Sequence, residues 1–333
     1  MSKELPIKNI FLTGGSGKVG GALLPELVKA GYKVRALRFD NEEINCPGVQ
    51  EIIDGDLRDK TLAHRMLKDM DAVIHLANCK ENRDLFLESN VAGTFYLLDE
   101  AWQCGHIQQF IQAGSDARAG IYYYPRPFPI DENFPHAGYP GYYSLSKVLE
   151  ETLCEQIRIQ RGLAITVLRF SWVMGQDDIL AHATLKGPRF GVPIWKEIAE
   201  TPEQKKFVAE GLDAACRMDH LDGMPGMRHV VGLPDVVSAI LLAVGNKAAI
   251  GKAFPIAAPA PFAYDVLSEY ISKKLDIPVL RFKVPEFNDF RHDISFSRSV
   301  LGYNPVYDIF KIVDDAIAFR KAGKKRIDPK YIG

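Results

Sequence analysis

The stretch Asn9-Ile10-Phe11-Leu12-Thr13-Gly14-Gly15-Ser16-Gly17-Lys18-Val19-Gly20 runs from an apolar segment, through a glycine turn, into a helical pattern. Residues 9–13 are short, apolar and bounded by glycine, which predicts a buried strand. From 18 to 30 the apolar residues recur with helical spacing, and Gly31 supplies a stop. Glycines stand at 14, 17 and 20. The first permits a tight turn, the second lets backbone approach a pyrophosphate, and the third lets helix pack on strand. The helix start then offers free N–H groups and a partial positive charge to an anion. Strand before and helix after make Gly14, Gly17, Lys18, Val19 and Gly20 a candidate dinucleotide-binding turn.

The same alternation continues outward. Residues 33–39, 51–54, 71–77, 109–113 and 165–169 read as further strands, with helices at 61–68, 84–104 and 143–161. This order predicts an α/β fold, a doubly wound parallel sheet with helices on both faces. Right-handed crossovers then bring the carboxyl ends of the strands to one edge, where ligands bind. Residues 1–175 are expected to form the dinucleotide-binding domain. The pattern weakens over 176–333, expected to be mainly a smaller substrate-binding region, with about 228–260 returning to the core. Helices at 235–244, 264–274 and 306–320 and a strand at 254–257 are expected there.

Composition narrows the function classes. The chain has 333 residues, 47% hydrophobic, enough to bury a substantial core. A formal net charge of −1 gives no field that would draw it to nucleic acid or anionic lipid. The basic tail Arg320, Lys321, Lys324, Lys325 and Arg326 reads as a solvated helix end. Cys46, Cys79, Cys104, Cys154 and Cys216 are scattered and lack C-x-x-C spacing, which argues against a disulfide framework or zinc site and for a reducing compartment. His182, His220 and His229 lack metal-ligand spacing and read as surface or incidental residues, so no metal is expected. No apolar run reaches bilayer length, and the first six residues do not resemble a signal peptide. The expectation is a cytoplasmic protein acting on a small molecule, with neither nucleic acid nor membrane as partner.

The end of the second strand bears on cofactor choice. An acidic residue there would bind a ribose 2′-hydroxyl, and an arginine would pair with a 2′-phosphate. In Val34-Arg35-Ala36-Leu37-Arg38-Phe39-Asp40, Arg38 falls about where the acid would sit. Arg35 lies close by, Lys18 adds charge, and Asp40 comes two residues late. The sequence therefore favours NADP over NAD.

These residues resemble the extended short-chain dehydrogenase/reductases, the NAD-dependent epimerase/dehydratase family, whose fold is of the Rossmann type. Gly14, Gly17 and Gly20 match its G-x-x-G-x-x-G turn, and Tyr143-Ser144-Leu145-Ser146-Lys147 its Y-x-x-x-K motif. Asp56-Leu57 resembles its adenine-contacting pair. His75-Leu76-Ala77-Asn78 resembles a cofactor-lining turn. Asn90-Val91-Ala92-Gly93-Thr94 resembles a helix whose Asn supports the active site. Ser115 stands where the family has its active-site Ser/Thr. The resemblance is close over about the first 175 residues and thin beyond. It implies Ser115, Tyr143, Lys147 and Asn90 as catalytic residues, with Leu76, Ala77, Asn78 and Lys147 near the cofactor. It also implies a homodimer paired through 84–104 and 143–161.

The chemistry follows from the spacing. Four residues make one helical turn, so Tyr143 and Lys147 share a face. A phenol with a pKa near 10 is a poor base at neutral pH, but a nearby ammonium and a positive nicotinamide ring would favour the phenolate. Tyr143 would then exchange a proton with a substrate hydroxyl held by Ser115.

Departures from the family bear on substrate. Arg228 matches the arginine that clamps a sugar nucleotide's diphosphate, but Trp172 replaces the phosphate-binding Asn, and Arg291 is out of phase with a second anchor. Asp116 matches the acid of the dehydratases, while Ala117 cannot supply their base, so a turn-capping role for Asp116 is favoured. Asp116, Trp172 and Arg228 are the candidate substrate residues. The expected function is NAD(P)-dependent hydride transfer at a hydroxyl or carbonyl carbon of a small sugar-like or other carbonyl compound. The rivals are a nucleotide-sugar epimerase and a non-catalytic NADP-binding sensor or scaffold.

Overall fold

Along β1 (Asn9–Thr13) the side chains alternate between two buried layers. Ile10 and Leu12 pack with Leu23, Leu24 and Leu27 of α1 (Lys18–Lys29), whereas Phe11 packs into a separate cluster on the other face. Both faces of the sheet are therefore covered, as a parallel sheet requires. The computed structural model describes residues 4–285, 287–324 and 326; Lys325 of the basic tail and the first three residues lie outside these.

The chain continues through β2 (Lys33–Arg38), β3 (Glu51–Asp54), α2 (Ala63–Leu67), β4 (Ala72–His75), α3 (Gly93–Gln103), β5 (Gln109–Ser115), α4 (Tyr142–Arg161) and β6 (Ile165–Phe170). Next come β7 (Trp172–Met174), α5 (Asp178–Ala183), α6 (Pro202–Glu210), β8 (Ala215–Asp219), β9 (Met227–Arg228), β10 (Val230–Gly232) and α7 (Leu233–Ala243). The last elements are β11 (Ala253–Ile256), β12 (Phe262–Ala263), α8 (Tyr264–Leu275), β13 (Val279–Lys283) and α9 (Ile309–Lys321). Seven strands form one parallel sheet in the order β11-β6-β5-β4-β1-β2-β3. The doubly wound α/β fold read from the sequence is the fold of the protein. α1 and α7 cover one face; α3 and α4 cover the other through Leu97, Leu98, Cys154 and Ile157. α7 and β11 return to this core late in the chain, β11 pairing with β6. A second apolar cluster, with Met174, Trp195, Met218, Tyr264, Phe282 and Val313, builds the smaller region beyond the carboxyl edge.

Three elements depart from expectation for identifiable reasons. The helix expected at 84–104 opens as a π-helical turn, Phe86–Ala92, before α3. The wider turn carries Asn90 inward, where its side chain clamps the backbone of Cys79. β5 runs on to Ser115 because Gly114 has no Cβ to meet Val167 at 2.9 Å. α9 begins at Ile309, capped by Asp308, because Asp235 binds the N–H groups of Val306 and Tyr307.

Candidate active site

The carboxyl ends of β1, β4, β5 and β6 open onto one cleft of about 590 Å³, in the usual range for a bound small molecule. Gly14, Gly17, Lys18, Val19, Gly20, Leu76, Asn78, Ser115, Asp116, Tyr143, Lys147, Trp172 and Arg228 all line it. Thirteen residues named from sequence thus share one wall system, although they span more than two hundred positions. Arg38, Asp56, Leu57, Ala77 and Asn90 do not line it.

The glycine turn fits a pyrophosphate on structural grounds. Gly14 has φ +71°, and a Cβ there would meet the Ala77 amide at 2.8 Å. A Cβ on Gly20 would stand 2.1 Å from the Gly14 carbonyl oxygen, which is backbone and cannot swing aside. Gly17 meets only the Gly14 oxygen, at 3.3 Å, so the front of the turn stays open to the cleft. α1 starts with no side-chain cap and no acid in its first turn, leaving its N-terminal N–H groups for an anion. Replacing Gly20 with alanine is expected to weaken dinucleotide binding by at least about a hundredfold, measured by calorimetry on a variant that keeps its circular dichroism. Undiminished binding would show that the turn does not carry the phosphates.

The charges expected to attract a 2′-phosphate are already engaged. Strand register sets Arg38 opposite Asp54, and the guanidinium binds that carboxylate twice, through Nε at 2.5 Å and Nη2 at 2.8 Å. Arg35 pairs with Glu51 at 2.6 Å, and Lys18 turns to Asp178 while lying over the Phe190 ring. The case for NADP therefore loses its basis. Asp56 is likewise bound by Arg58, and Leu57 is packed beneath Gly93, where a Cβ would meet it at 2.8 Å.

Beneath the turn runs a buried polar chain that the sequence reading missed. The Thr13 hydroxyl oxygen accepts from the amides of Leu76 and Ala77, so its proton goes to His75 Nδ1, 2.6 Å away. His75 Nε2 is then the donor to Thr94 Oγ1 at 2.9 Å, and Thr94 donates to the Asn90 carbonyl. Asn90 Nδ2 reaches Ser146 of α4 as well as the Cys79 carbonyl. Asn90 thus ties the cofactor-side loop to the helix of Tyr143 without entering the cleft.

On α4, Tyr143 and Lys147 face the end of β5. The phenol shares the cleft wall with Ser115. Lys147 Nζ lies 5.7 Å from the Tyr143 ring centre and donates to the Ala113 carbonyl at 3.1 Å and to Glu150 at 2.9 Å. Burial holds the phenol above its ordinary value, while Lys147 and Ser115 pull it down. The chain's own charges do not free the phenolate by themselves. Burial alone would depress the Lys147 ammonium, but Glu150 and Tyr143 outweigh it and hold it above the usual range.

Asp116 is not a turn cap; Ser115 performs that role by accepting from the Ala117 amide. The buried Asp116 carboxylate takes hydrogen bonds from Ser115 and Ser171 and stands 3.5 Å from His292. At the far end of the cleft Trp172 stacks on Phe190 at 5.1 Å. Arg228 lies against the rings of Trp172, Tyr122 and Phe287 at 4.9, 5.4 and 4.9 Å. It is buried, donates to the Val192 carbonyl, and its Nε has no hydrogen-bond partner. Arg291 is exposed and does not line the cleft.

Two other expectations are corrected. His182 and His229 are buried: His182 bonds the Tyr264 hydroxyl, and His229 the Ala258 carbonyl. The basic tail is not merely solvated, since Arg320 and Arg326 both bind Asp177. Among the described residues no cluster of three or more His, Cys, Asp or Glu could hold a metal, and no helix is long and apolar enough to cross a membrane.

Comparison with known proteins places this geometry. The chain is 31% identical over 178 residues to a putative UDP-glucose 4-epimerase of Methanocaldococcus jannaschii, a match covering 50% of this chain and 56% of that protein. It is 24% identical over 330 residues to a UDP-glucose 4-epimerase of Rhizobium meliloti, covering 92% and 95%. The chain spans about half the length of several of the curated relatives it matches. Among solved structures, a short-chain dehydrogenase/reductase superfamily protein of Agrobacterium tumefaciens with bound NAD superposes with a TM-score of 0.81 at 23% identity, covering 95% of this chain and 98% of that one. The model of the NAD dependent epimerase/dehydratase family matches residues 10–192. The chain belongs to that family, of the extended short-chain dehydrogenase/reductase type.

Proposed function

We propose that this chain oxidises and reduces a hydroxyl or carbonyl carbon of a small sugar-like substrate carrying an acidic group, with NAD as redox partner. The observation that carries this reading is the meeting of Ser115, Tyr143 and Lys147 on one wall of the cleft that the glycine turn closes at its other end. NAD, when bound, supplies the hydride acceptor or donor. Ser115 would hold the reacting oxygen, Tyr143 would exchange its proton, and Lys147 would keep a positive charge beside both. Arg228, buried with its Nε unsatisfied, suits a carboxylate or phosphate on the substrate. A non-catalytic sensor would have no use for the three catalytic groups together.

NAD replaces NADP in this reading because Arg38, Arg35 and Lys18 are each paired with a carboxylate, and because the Agrobacterium tumefaciens neighbour holds NAD. The relatives named as UDP-glucose 4-epimerases favour a second reading, a nucleotide-sugar epimerase, with Arg228 on the diphosphate. A panel of sugar acids, sugar phosphates and UDP-sugars, incubated with NAD, separates the two. Net NAD reduction by an acid supports the main reading. Interconversion of UDP-sugars without net NADH would replace it by the second.

Asp54→Asn leaves the Arg38 guanidinium uncompensated and is expected to raise NADP affinity about tenfold with little change for NAD. Unchanged NADP affinity in fluorescence titration would mean that Arg38 does not face the ribose. A homodimer is proposed on Phe95 and Trp102 of α3 with Leu145 and Ile159 of α4, large apolar side chains left exposed on neighbouring helices.

A further inference from the structure

Glu150 stands three residues beyond Lys147 on α4, deep in the fold and away from the cleft's open face. It is 1% exposed. Three side chains donate to it: Lys147 Nζ at 2.9 Å, Asn78 Nδ2 at 3.0 Å and Gln112 Nε2 at 3.0 Å. The donors come from three elements: α4, the loop after β4, and β5. Two neutral amides and an ammonium converging on one carboxyl group are what an ionised carboxylate requires, since a carboxylate only accepts. A buried charge is costly unless paired, so Glu150 and Lys147 each keep the other ionised.

We propose that Glu150 is a positioning residue of the active site, which holds the Lys147 ammonium and keeps it charged in its buried place, so that acid–base chemistry at Tyr143 begins at a lower pH than an unpaired Lys147 would set. The inference rests on Tyr143 being the acid–base group proposed above. The ammonium is 2.9 Å from the Glu150 carboxylate but 5.7 Å from the centre of the Tyr143 ring. The carboxylate is therefore near enough to offset the cost of burying the ammonium, which stays charged beside the phenol. Burial of the phenol is the largest influence on its proton affinity, Lys147 opposes it and Glu150 adds to it.

Other charges face this group. The loop after β4 brings Cys79, Lys80 and Glu81, with Lys80 Nζ 5.9 Å from the Tyr143 ring centre. The end of β5 brings Asp116, and Tyr139 stands beside the phenol. His75 and Cys154 lie behind Lys147, and burial keeps both uncharged. Glu150 is the carboxylate bound directly to the catalytic ammonium.

The test is an ultraviolet titration of tyrosinate in the NAD-saturated protein, with Tyr143→Phe subtracted to isolate one phenol. In Glu150→Gln the buried Lys147 loses its counter-charge and gives up its proton, and the midpoint is expected to rise by about one pH unit or more. Glu150→Asp withdraws the carboxylate by one methylene and keeps the pocket charged should the glutamine variant fail to fold. It is expected to move the midpoint the same way by less. A merely structural role would destabilise both variants and leave the midpoint in place. A midpoint that stays or falls while NAD still binds overturns the role of Glu150 alone; failure of the wild-type chain to bind NAD takes both readings down.

Discussion

Tyr143→Phe is expected to lower kcat by about a thousandfold while NAD affinity stays within about twofold. The phenylalanine ring keeps the packing of α4 against β5 and deletes one oxygen. Ser115 is not left stranded, because its hydroxyl still donates to Asp116 and accepts from the Ala117 amide. The stability change should therefore stay under about 1 kcal/mol. Ser115→Ala is a poorer probe, since Ser115 also caps the turn Asp116–Ala119. Because burial holds the phenol above its ordinary value, oxidation should accelerate as pH rises above neutral, and that rise should vanish in the phenylalanine variant. Steady-state rates with NAD across that range check both statements. A variant retaining a tenth of wild-type kcat would remove Tyr143 from the acid–base role.

What could be read from the sequence depended on how local the cause was. The glycine turn was legible because strand, turn and helix are contiguous, and each glycine answers to backbone within ten residues or to one neighbouring strand. Y-x-x-x-K was legible because one helical turn fixes the relation of Tyr143 to Lys147. Arg38 was misjudged because its partner, Asp54, is sixteen residues away and meets it only through the register of β2 with β3. The helix containing Asn90 was drawn as regular because its π-helical turn is set by Cys79 and Leu57, which lie on other segments. His182 and His229 looked like surface residues because nothing near them in sequence names Tyr264 or Ala258. Glu150 had a signal that went unused: an acid one helical turn from Lys147, on the face of α4 that runs on through Cys154 and Ile157 into the core.

Acidification is expected to unfold the protein well above pH 3, and the buried histidines supply the reason. Burial, followed by the charge of Lys147, pushes His75 down to about 3. Burial with His292 does the same to His229, and burial with Arg228 holds His182 well below its ordinary value. In the unfolded chain each imidazole takes up a proton near pH 6.5. The native state does not, so the unfolded state binds more protons, and stability is full above pH 6.5 and lost as pH falls toward 3. Each histidine contributes a slope of about 1.4 kcal/mol per pH unit in that window, and three together about 4, against a whole stability of about 5–15 kcal/mol. Urea midpoints should therefore fall steeply between about pH 6.5 and 4.5. His75→Asn should lose stability at neutral pH yet flatten the slope by about a third, because the proton it no longer takes up is one of three. Midpoints that stay level over this range would show that these imidazoles are charged or exposed in the native state. His75 also couples this effect to the site. Its Nδ1 must accept from Thr13, whose oxygen already receives two amides. An imidazolium would aim a proton at that oxygen and break the chain from the glycine turn to Asn90. Because folded His75 takes up its proton only near pH 3, below the pH at which the fold is lost, NAD binding should persist on the acid side until the protein unfolds.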